Sequence, residues 1–313
     1  MTGKPKLLVI AGPTASGKTA VAVEAALRLN GEVVSADSMQ VYRDMDILSA
    51  MPDAAEMRGV RHHMLGVLSP REKCSAAAYR EGALRAIGEI RSRDRLPILC
   101  GGTGLYINAV TRPLSFSAQG DEALRAELAA IAEGPDGKAR LHAMLAAVDP
   151  EAAARLHPND VRRVSRAIEI YRLTGRTQTA QAALDAAQEG PFDERVFALE
   201  WPRAVLYQRI ERRVDAMLAA GLVAEVRRLS TDAEAQSTAR QAIGYKEVAA
   251  ALAGEMAMDE AIDLVKQATR NLAKRQMTWF RRDPRVEWIA AEGRTTAEIA
   301  VEIEEKTKVW LNN

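Results

Sequence analysis

A chain of 313 residues has room for one large α/β domain with an insertion, or for two modest domains. With 48% hydrophobic and 27% charged residues it has the composition of an ordinary soluble globule, and at only 4% aromatic its core must be filled by Leu, Val, Ile and Ala. A net charge of +1 identifies no partner, but the charge is segregated: Arg155–Arg176 carries a local +4 and Lys266–Arg285 a local +6, which leaves −9 for the remainder. Segregation of this kind marks either a footprint for an anionic partner or solvated helix faces. Cys74 and Cys100 have no metal-ligand spacing, and Cys100, at the end of an apolar run, is expected to be a buried thiol in a reducing compartment. No apolar stretch reaches the ~18 residues of a membrane helix. No signal-peptide pattern precedes the first strand, so a cytoplasmic location is expected.

In chain order, Lys6–Ala11 (KLLVIA) is a continuous apolar run bounded by Gly-Pro, the pattern of a strand buried on both faces. A helix follows over Gly17–Asn30, then a short strand Glu32–Ala36 and a weaker one at His63–Leu68. Ser75–Arg93 is predicted to be an amphipathic helix and Leu96–Cys100 (LPILC) another buried strand. This alternation predicts a doubly wound parallel sheet flanked by helices, of the P-loop type. It stops near Pro113, and from there to Pro191 only helical patterns appear, broken at Gly134-Pro135, Asp149-Pro150, His157-Pro158 and Gly175. Strand character resumes at Arg195–Trp201, followed by helices at about 203–229, 240–253 and 258–282, a strand Val286–Ala290 and a closing helix. The expected architecture is a catalytic core of residues 1–112 and 192–313 with an inserted all-helical subdomain, 113–191.

Gly12, Pro13, Thr14, Ala15, Ser16, Gly17, Lys18 and Thr19 satisfy GxxxxGK[ST] between a buried strand and a helix. Backbone N–H groups there close around phosphate oxygens, Lys18 supplies charge, Thr19 is placed to hold Mg²⁺, and the helix N-terminus adds its dipole. An ATP-hydrolysing P-loop protein also carries a strand-end acid that supports Mg²⁺. LPILC instead ends in Gly101-Gly102-Thr103-Gly104, and the acid closing a strand is Asp37. That combination favours a small phosphate-transfer or pyrophosphate-releasing enzyme over a motor or switch.

Several further blocks, in order and at kept spacing, complete a resemblance from Leu7 to Arg282. DSMQVYRDMDI (Asp37–Ile47), GGTGLY (Gly101–Tyr106), HPND with RRVSRAIEIY (His157–Tyr171), QRIERRVDAML (Gln208–Leu218), RQAIGYKE (Arg240–Glu247) and TRNLAKRQMTWFRR (Thr269–Arg282) resemble the tRNA dimethylallyltransferase family. The resemblance implies transfer of a dimethylallyl group from dimethylallyl pyrophosphate to N6 of the adenosine at tRNA position 37, beside the anticodon, with Mg²⁺ and release of pyrophosphate. It implies that Asp37 is the base for the acceptor amine, that Thr103 contacts the target nucleotide, and that Arg213, with Arg209 as the alternate, clamps the leaving pyrophosphate. It also implies tRNA contacts from Asp37, Ser38, Met39 and Gln40, from Thr103, from Arg125, from Val161, Arg162, Arg163, Val164 and Ser165, and from Arg240, Gln241, Ala242, Ile243, Gly244 and Tyr245. A target base in a folded anticodon loop must first be unstacked into a pocket. Lys266, Arg270 and Lys274 share one helix face, as an RNA contact or as solvated surface.

Three other functions compete. A small-molecule P-loop kinase is disfavoured by the Arg-rich helical insertion and the two C-terminal blocks, and a non-catalytic RNA-binding protein by the intact Lys18, Thr19 and Asp37. A free-nucleotide isopentenyltransferase is disfavoured by the same Arg-rich insertion.

Overall fold

In the computed structural model, residues 3–115, 120–231 and 238–313 are described. They divide into two compact units, Met1–Thr111 with Phe192–Asn313, and Arg112–Pro191.

The larger unit is built on β1 (Lys6–Ala11), β2 (Gly31–Ser35), β3 (His62–His63), β4 (Leu96–Gly101), β5 (Asp193–Glu200) and β6 (Val286–Ala290). They form one six-stranded sheet in the order β3-β2-β4-β1-β5-β6, and every neighbouring pair is parallel. The run KLLVIA is apolar at every position because both faces are covered. Leu7, Val9 and Ala11 enter one core cluster, while Leu8 and Ile10 enter another on the opposite face. Helix Ala76–Arg91 supplies Tyr79, Ala83, Ile87 and Ile90 to the first cluster. Helix Lys18–Arg28 supplies Val21, Ala22, Ala25 and Ala26 to the second, backed by Ile299, Ile303 and Trp310 of helix Thr296–Asn312.

These two faces also decide where a ligand site can form. After β1 the chain turns onto the face of helix Lys18–Arg28, whereas after β4 it turns into helix Gly104–Thr111, whose Tyr106, Ile107 and Val110 belong to the other cluster. β1 and β4 are adjacent, so their carboxyl ends open a crevice between diverging loops, the topological switch point of an open α/β sheet.

The sequence reading needs correction at three places in this unit. The helix read over about 240–253 is a 3-10 turn Ala239–Gln241 and then a helix Tyr245–Leu252, because Gly244 (φ 99°) breaks the run between them. The strand read at His63–Leu68 is only His62–His63, with an isolated bridge between Tyr42 and Leu68, because the left-handed Met64 (φ 62°) and Gly66 (φ 57°) break extended pairing between them. The single helix read over 203–229 is two helices, Arg203–Ala219 and Leu222–Thr231, separated at Gly221, whose φ of 103° no helix accepts. Cys100 is buried as expected, and its thiol is pushed up to about 12 by that burial.

The smaller unit holds helices Glu122–Glu133, Gly137–Val148, Pro150–Arg155, Val161–Thr174 and Gln178–Ala186, with no strand among its described residues. Leu128, Leu141, Leu145, Val164 and Ile168 form its own core. Residues 116–119 of the predicted insertion lie outside the described residues. No helix among the described residues is long and apolar enough to cross a membrane.

One buried charge anchors the edge of the sheet. Glu32, 4% exposed in its side chain, accepts hydrogen bonds from Arg93 (2.7 Å) and from His63 Nε2 (2.7 Å). Burial alone would raise its carboxyl, but these hydrogen bonds and charges outweigh burial and hold it at about 2 against an ordinary 4.5. A depressed carboxyl stabilises the fold above its unfolded pKa, and that stabilisation is lost as pH falls from about 4.5 toward about 2. Glu32→Gln is therefore expected to cost on the order of 2–3 kcal/mol at pH 7, with the gap from wild type closing in acid. Denaturant melts from pH 7 to pH 3 measure this, and an offset that stays constant across the range contradicts the assignment.

Candidate active site

The phosphate loop joins β1 to helix Lys18–Arg28 through residues that other chains would strain to accept. Ala15 (φ 61°) and Gly17 (φ 88°) are left-handed, and Gly17 caps the helix. The loop is held from outside by three side chains. Trp201 Nε1 donates to Ser16 O at 2.9 Å, and Arg209 Nε donates to Ala15 O at 2.8 Å with its guanidinium 4.2 Å from the Trp201 ring centre. Gln276 Oε1 accepts from the Thr14 N–H at 2.8 Å. Ala15, Leu206, Ile210 and Ala273 then pack as one apolar cluster, which seats helices Arg203–Ala219 and Met258–Arg281 against the loop.

Lys18 Nζ lies 3.3 Å from Pro13 O. Enclosure by protein pushes its ammonium below its ordinary pKa, and Arg213 pushes the same way, while Asp37 and Cys100 oppose both. Arg213 is likewise lowered first by burial, with Asp37 and Glu56 opposing. Lys18 and Arg213 are thus two cations whose surroundings disfavour their charge, and Asp37 acts electrostatically on both.

Asp37 follows β2 in an Asx turn, its Oδ1 accepting from Met39 N–H at 2.9 Å. The turn after β4 lies beside it: Thr103 N–H donates to Ala36 O (3.1 Å) and Thr103 Oγ1 accepts from Ser38 N–H (3.1 Å). This approach explains the glycines. A Cβ on Gly101 would stand 2.2 Å from Ala36 O, and one on Gly102 would stand 2.3 Å from Gln276 Nε2. β4 therefore ends without an acid, and the strand-end carboxylate of the site is Asp37.

The other predicted site residues have mixed placements. In the larger unit, Gln40 is engaged internally: Oε1 accepts from Ser35 Oγ (2.8 Å) and Nε2 donates to Ala50 O (3.1 Å). Met39 is half-buried against the core, and Ser38 is half-buried beside Thr103. Ala239–Gln241 is a short 3-10 turn, with Arg240 half-buried, Gln241 exposed and Ile243 half-buried. Ala242 and Tyr245 enter the core, and Gly244 (φ 99°) caps the next helix, so the side chains of Ala242 and Tyr245 hold this turn from beneath. Lys266 and Arg270 of the basic row pair with Asp215 (2.7 Å) and Glu211 (2.9 Å), tying helix Met258–Arg281 to Arg203–Ala219, and Lys274 is exposed.

In the smaller unit, Arg125 Nε donates to Glu169 at 2.8 Å while half of its side chain stays in solvent, and Arg166 takes the other carboxylate oxygen at 2.6 Å. Asp160 caps helix Val161–Thr174, whose Arg162 and Arg163 are exposed, Val161 and Ser165 half-buried, and Val164 fully buried.

Three contributors were not singled out from the sequence: Gln276, Trp201 and Glu225. The last is a buried carboxylate that accepts from the Ile47 and Leu48 N–H groups (3.0 and 2.7 Å) and fixes the segment after the Asp37 turn. Gln276 stands inside the TRNLAKRQMTWFRR block, which was the available signal. Trp201 and Glu225 offered none beyond an apolar or acidic position in a helix or strand end.

Residues 40–283 match the family model described as IPP transferase. The chain belongs to that family. It is 49% identical over 292 residues to a tRNA dimethylallyltransferase of Geobacter metallireducens, covering 93% of this chain and 94% of the relative. A tRNA dimethylallyltransferase of Carboxydothermus hydrogenoformans is 43% identical over 309 residues, 98% of each chain. The fold matches the crystal structure of a full-length tRNA isopentenylpyrophosphate transferase from Bacillus halodurans with a TM-score of 0.71 and 43% identity, over 98% of this chain and 99% of that one. It also matches a eukaryotic dimethylallyltransferase acting on tRNA, with a TM-score of 0.80 and 27% identity over 97% of this chain and 79% of that one. The family membership accounts for the P-loop-type parallel sheet and makes the chain a prenyltransferase.

Proposed function

We propose that this prenyltransferase moves a dimethylallyl group from dimethylallyl pyrophosphate to N6 of the adenosine at tRNA position 37, with Asp37 and the phosphate loop as its two poles. The observation that carries this is that the loop bearing Lys18 is bridged by Gln276 to the turn of Thr103, which is itself hydrogen-bonded to the Asp37 turn, with Asp37 acting electrostatically on both Lys18 and Arg213. Lys18, the loop amides and Arg213 bind the pyrophosphate and stabilise the charge that grows on it as the allylic C–O bond breaks. The adenine amine is a poor nucleophile, because its lone pair is delocalised into the ring; Asp37 orients it and takes its proton as the C–N bond forms. Thr103 fixes the nucleotide close to that carboxylate.

No group of three or more His, Cys, Asp or Glu side chains among the described residues can hold a metal by itself. Where Mg²⁺ binds, Thr19, in the first turn of helix Lys18–Arg28, would hold it together with oxygens of the substrate and water. Bound there, it would neutralise charge on the leaving group. The proposed tRNA contacts are the exposed Arg162 and Arg163 with Arg125 in the smaller unit and, in the larger unit, the segment Arg240–Tyr245, with Gln241 presented to solvent and its buried residues supporting it.

The test is incubation of the purified protein with dimethylallyl pyrophosphate, Mg²⁺ and unmodified tRNA in the absence of ATP. The expected result is prenylated adenosine in the tRNA together with free pyrophosphate. Product that appears only when ATP is added, or that forms equally well on free AMP, overturns the proposal.

A further inference from the structure

We infer that Gln276 is a positioning residue that locks the donor-binding loop to the acceptor-binding turn and so keeps the two reacting groups in line; this rests on the reaction proposed above. The residue is 9% exposed, and its side chain bridges the loop after β1 and the turn after β4. Oε1 accepts from Thr14 N–H at 2.8 Å, and Nε2 donates to Gly102 O at 3.0 Å.

Each of these atoms belongs to a planar peptide unit whose other polar atom serves the chemistry. The Thr14 N–H shares its peptide with Pro13 O, which receives Lys18 Nζ at 3.3 Å and Ser16 N–H at 3.3 Å. The Gly102 C=O shares its peptide with the Thr103 N–H, which donates to Ala36 O at 3.1 Å, immediately before Asp37. One carboxamide therefore fixes the tilt of the peptide that receives Lys18 and the tilt of the peptide that aims Thr103.

Seating of helix Met258–Arg281 does not call for this amide. Val265, Ala273 and Phe280 anchor the helix through apolar packing, and Lys266 and Arg270 tie it by ion pairs. What an apolar side chain of equal length could not do is offer an acceptor and a donor on one rigid plane to two loops that leave the sheet on opposite faces. The space confirms the fit: a Cβ on Gly102 would stand 2.3 Å from Gln276 Nε2 and 3.2 Å from Gly12 O.

The test compares wild type with Gln276→Met, Gln276→Glu and Gly102→Ala by three readouts: single-turnover rate on tRNA, tRNA Kd, and amide exchange of the segments containing Thr14 and Thr103. Met keeps the volume and removes both hydrogen bonds. The rate is expected to fall about 10²-fold, as for a misplacement of ~1 Å, with tRNA Kd within about threefold of wild type. Exchange in both segments is expected to quicken about tenfold or more. Gly102→Ala, which displaces the amide, is expected to show the same loss, and the double variant with Gln276→Met no greater one. Glu keeps the acceptor for Thr14 and loses the donor to Gly102, so its rate relative to wild type is expected to recover as pH falls and the carboxyl becomes a donor. A Met variant that turns over within threefold of wild type, a Glu variant whose relative rate is flat with pH, or losses that multiply in the double variant each overturn the inference. Wild type that prenylates no tRNA overturns the proposed reaction instead, and the exchange rates of the Met variant then still judge the bridge.

Discussion

Replacing Asp37 by Asn is expected to leave the fold and both substrates bound while removing most of the chemical step. The Asx turn survives, because the Asn carbonyl can still accept from Met39 N–H, now 2.9 Å from Asp37 Oδ1. The variant cannot take the amine proton, and loss of a general base costs about 10²–10⁴-fold in rate. The N6 proton becomes acidic only as the C–N bond forms, so the loss belongs in the single-turnover rate and hardly in tRNA Kd. Asp37 also opposes the lowering of the Lys18 and Arg213 pKa values, and its neutralisation removes that support. A modest change in pyrophosphate affinity is therefore part of the expected result. The decisive measurement is the single-turnover rate of the Asn variant across an Mg²⁺ titration, beside its melting temperature. A near-normal rate, or one restored by Mg²⁺, would remove Asp37 from the role of base.

Lys18→Ala is expected to lower the rate by about 10²-fold or more, since one oriented cation is lost from a leaving group that gains charge in the transition state. Lys18 differs from a surface lysine in that its surroundings already disfavour its charge. Bound pyrophosphate reverses this by supplying compensating charge, so its pKa rises on binding and protons are taken up at alkaline pH. Calorimetry of pyrophosphate binding in buffers of different ionisation enthalpy reads that uptake directly. Wild type should show it above neutral pH, and the Ala variant should show less. Unchanged single-turnover kinetics in the variant would exclude the phosphate loop from the mechanism.

Much of the site was legible because it is written in short, local chemistry. The run KLLVIA, the glycine loop and the GGTG turn each carry their reason within a few residues, and the two loops lie at the ends of neighbouring strands of the sheet. Asp37 was legible for the same reason. What escaped reading depends on distant segments. Gln276 reaches Thr14 across 262 positions, and Glu225 reaches Leu48 across 177, so neither has a local pattern to betray it. The basic row Lys266, Arg270, Lys274 is open, from sequence, between an RNA contact and a solvated surface. Its spacing was right for one helix face, but two of its three charges meet Asp215 and Glu211, and spacing within a single helix says nothing about acids on its neighbour. Gln40 was singled out from a block that resembles a nucleic-acid strip, yet its carboxamide braces the chain between Ser35 and Ala50.

The place of β1 in the sheet bears on how the chain is made. β1 pairs with β4 on one side and with β5 on the other, and Lys6 is in register with Asp193. A ribosome that has finished β4 has released a strand whose second edge stays unsatisfied until the whole Arg112–Pro191 unit has followed. At a synthesis rate of roughly 5–20 residues per second, that edge waits several seconds or more. Because the smaller unit carries its own apolar core, it can fold during the interval. Until β5 arrives, that edge of β1 is open to pairing with a wrong strand.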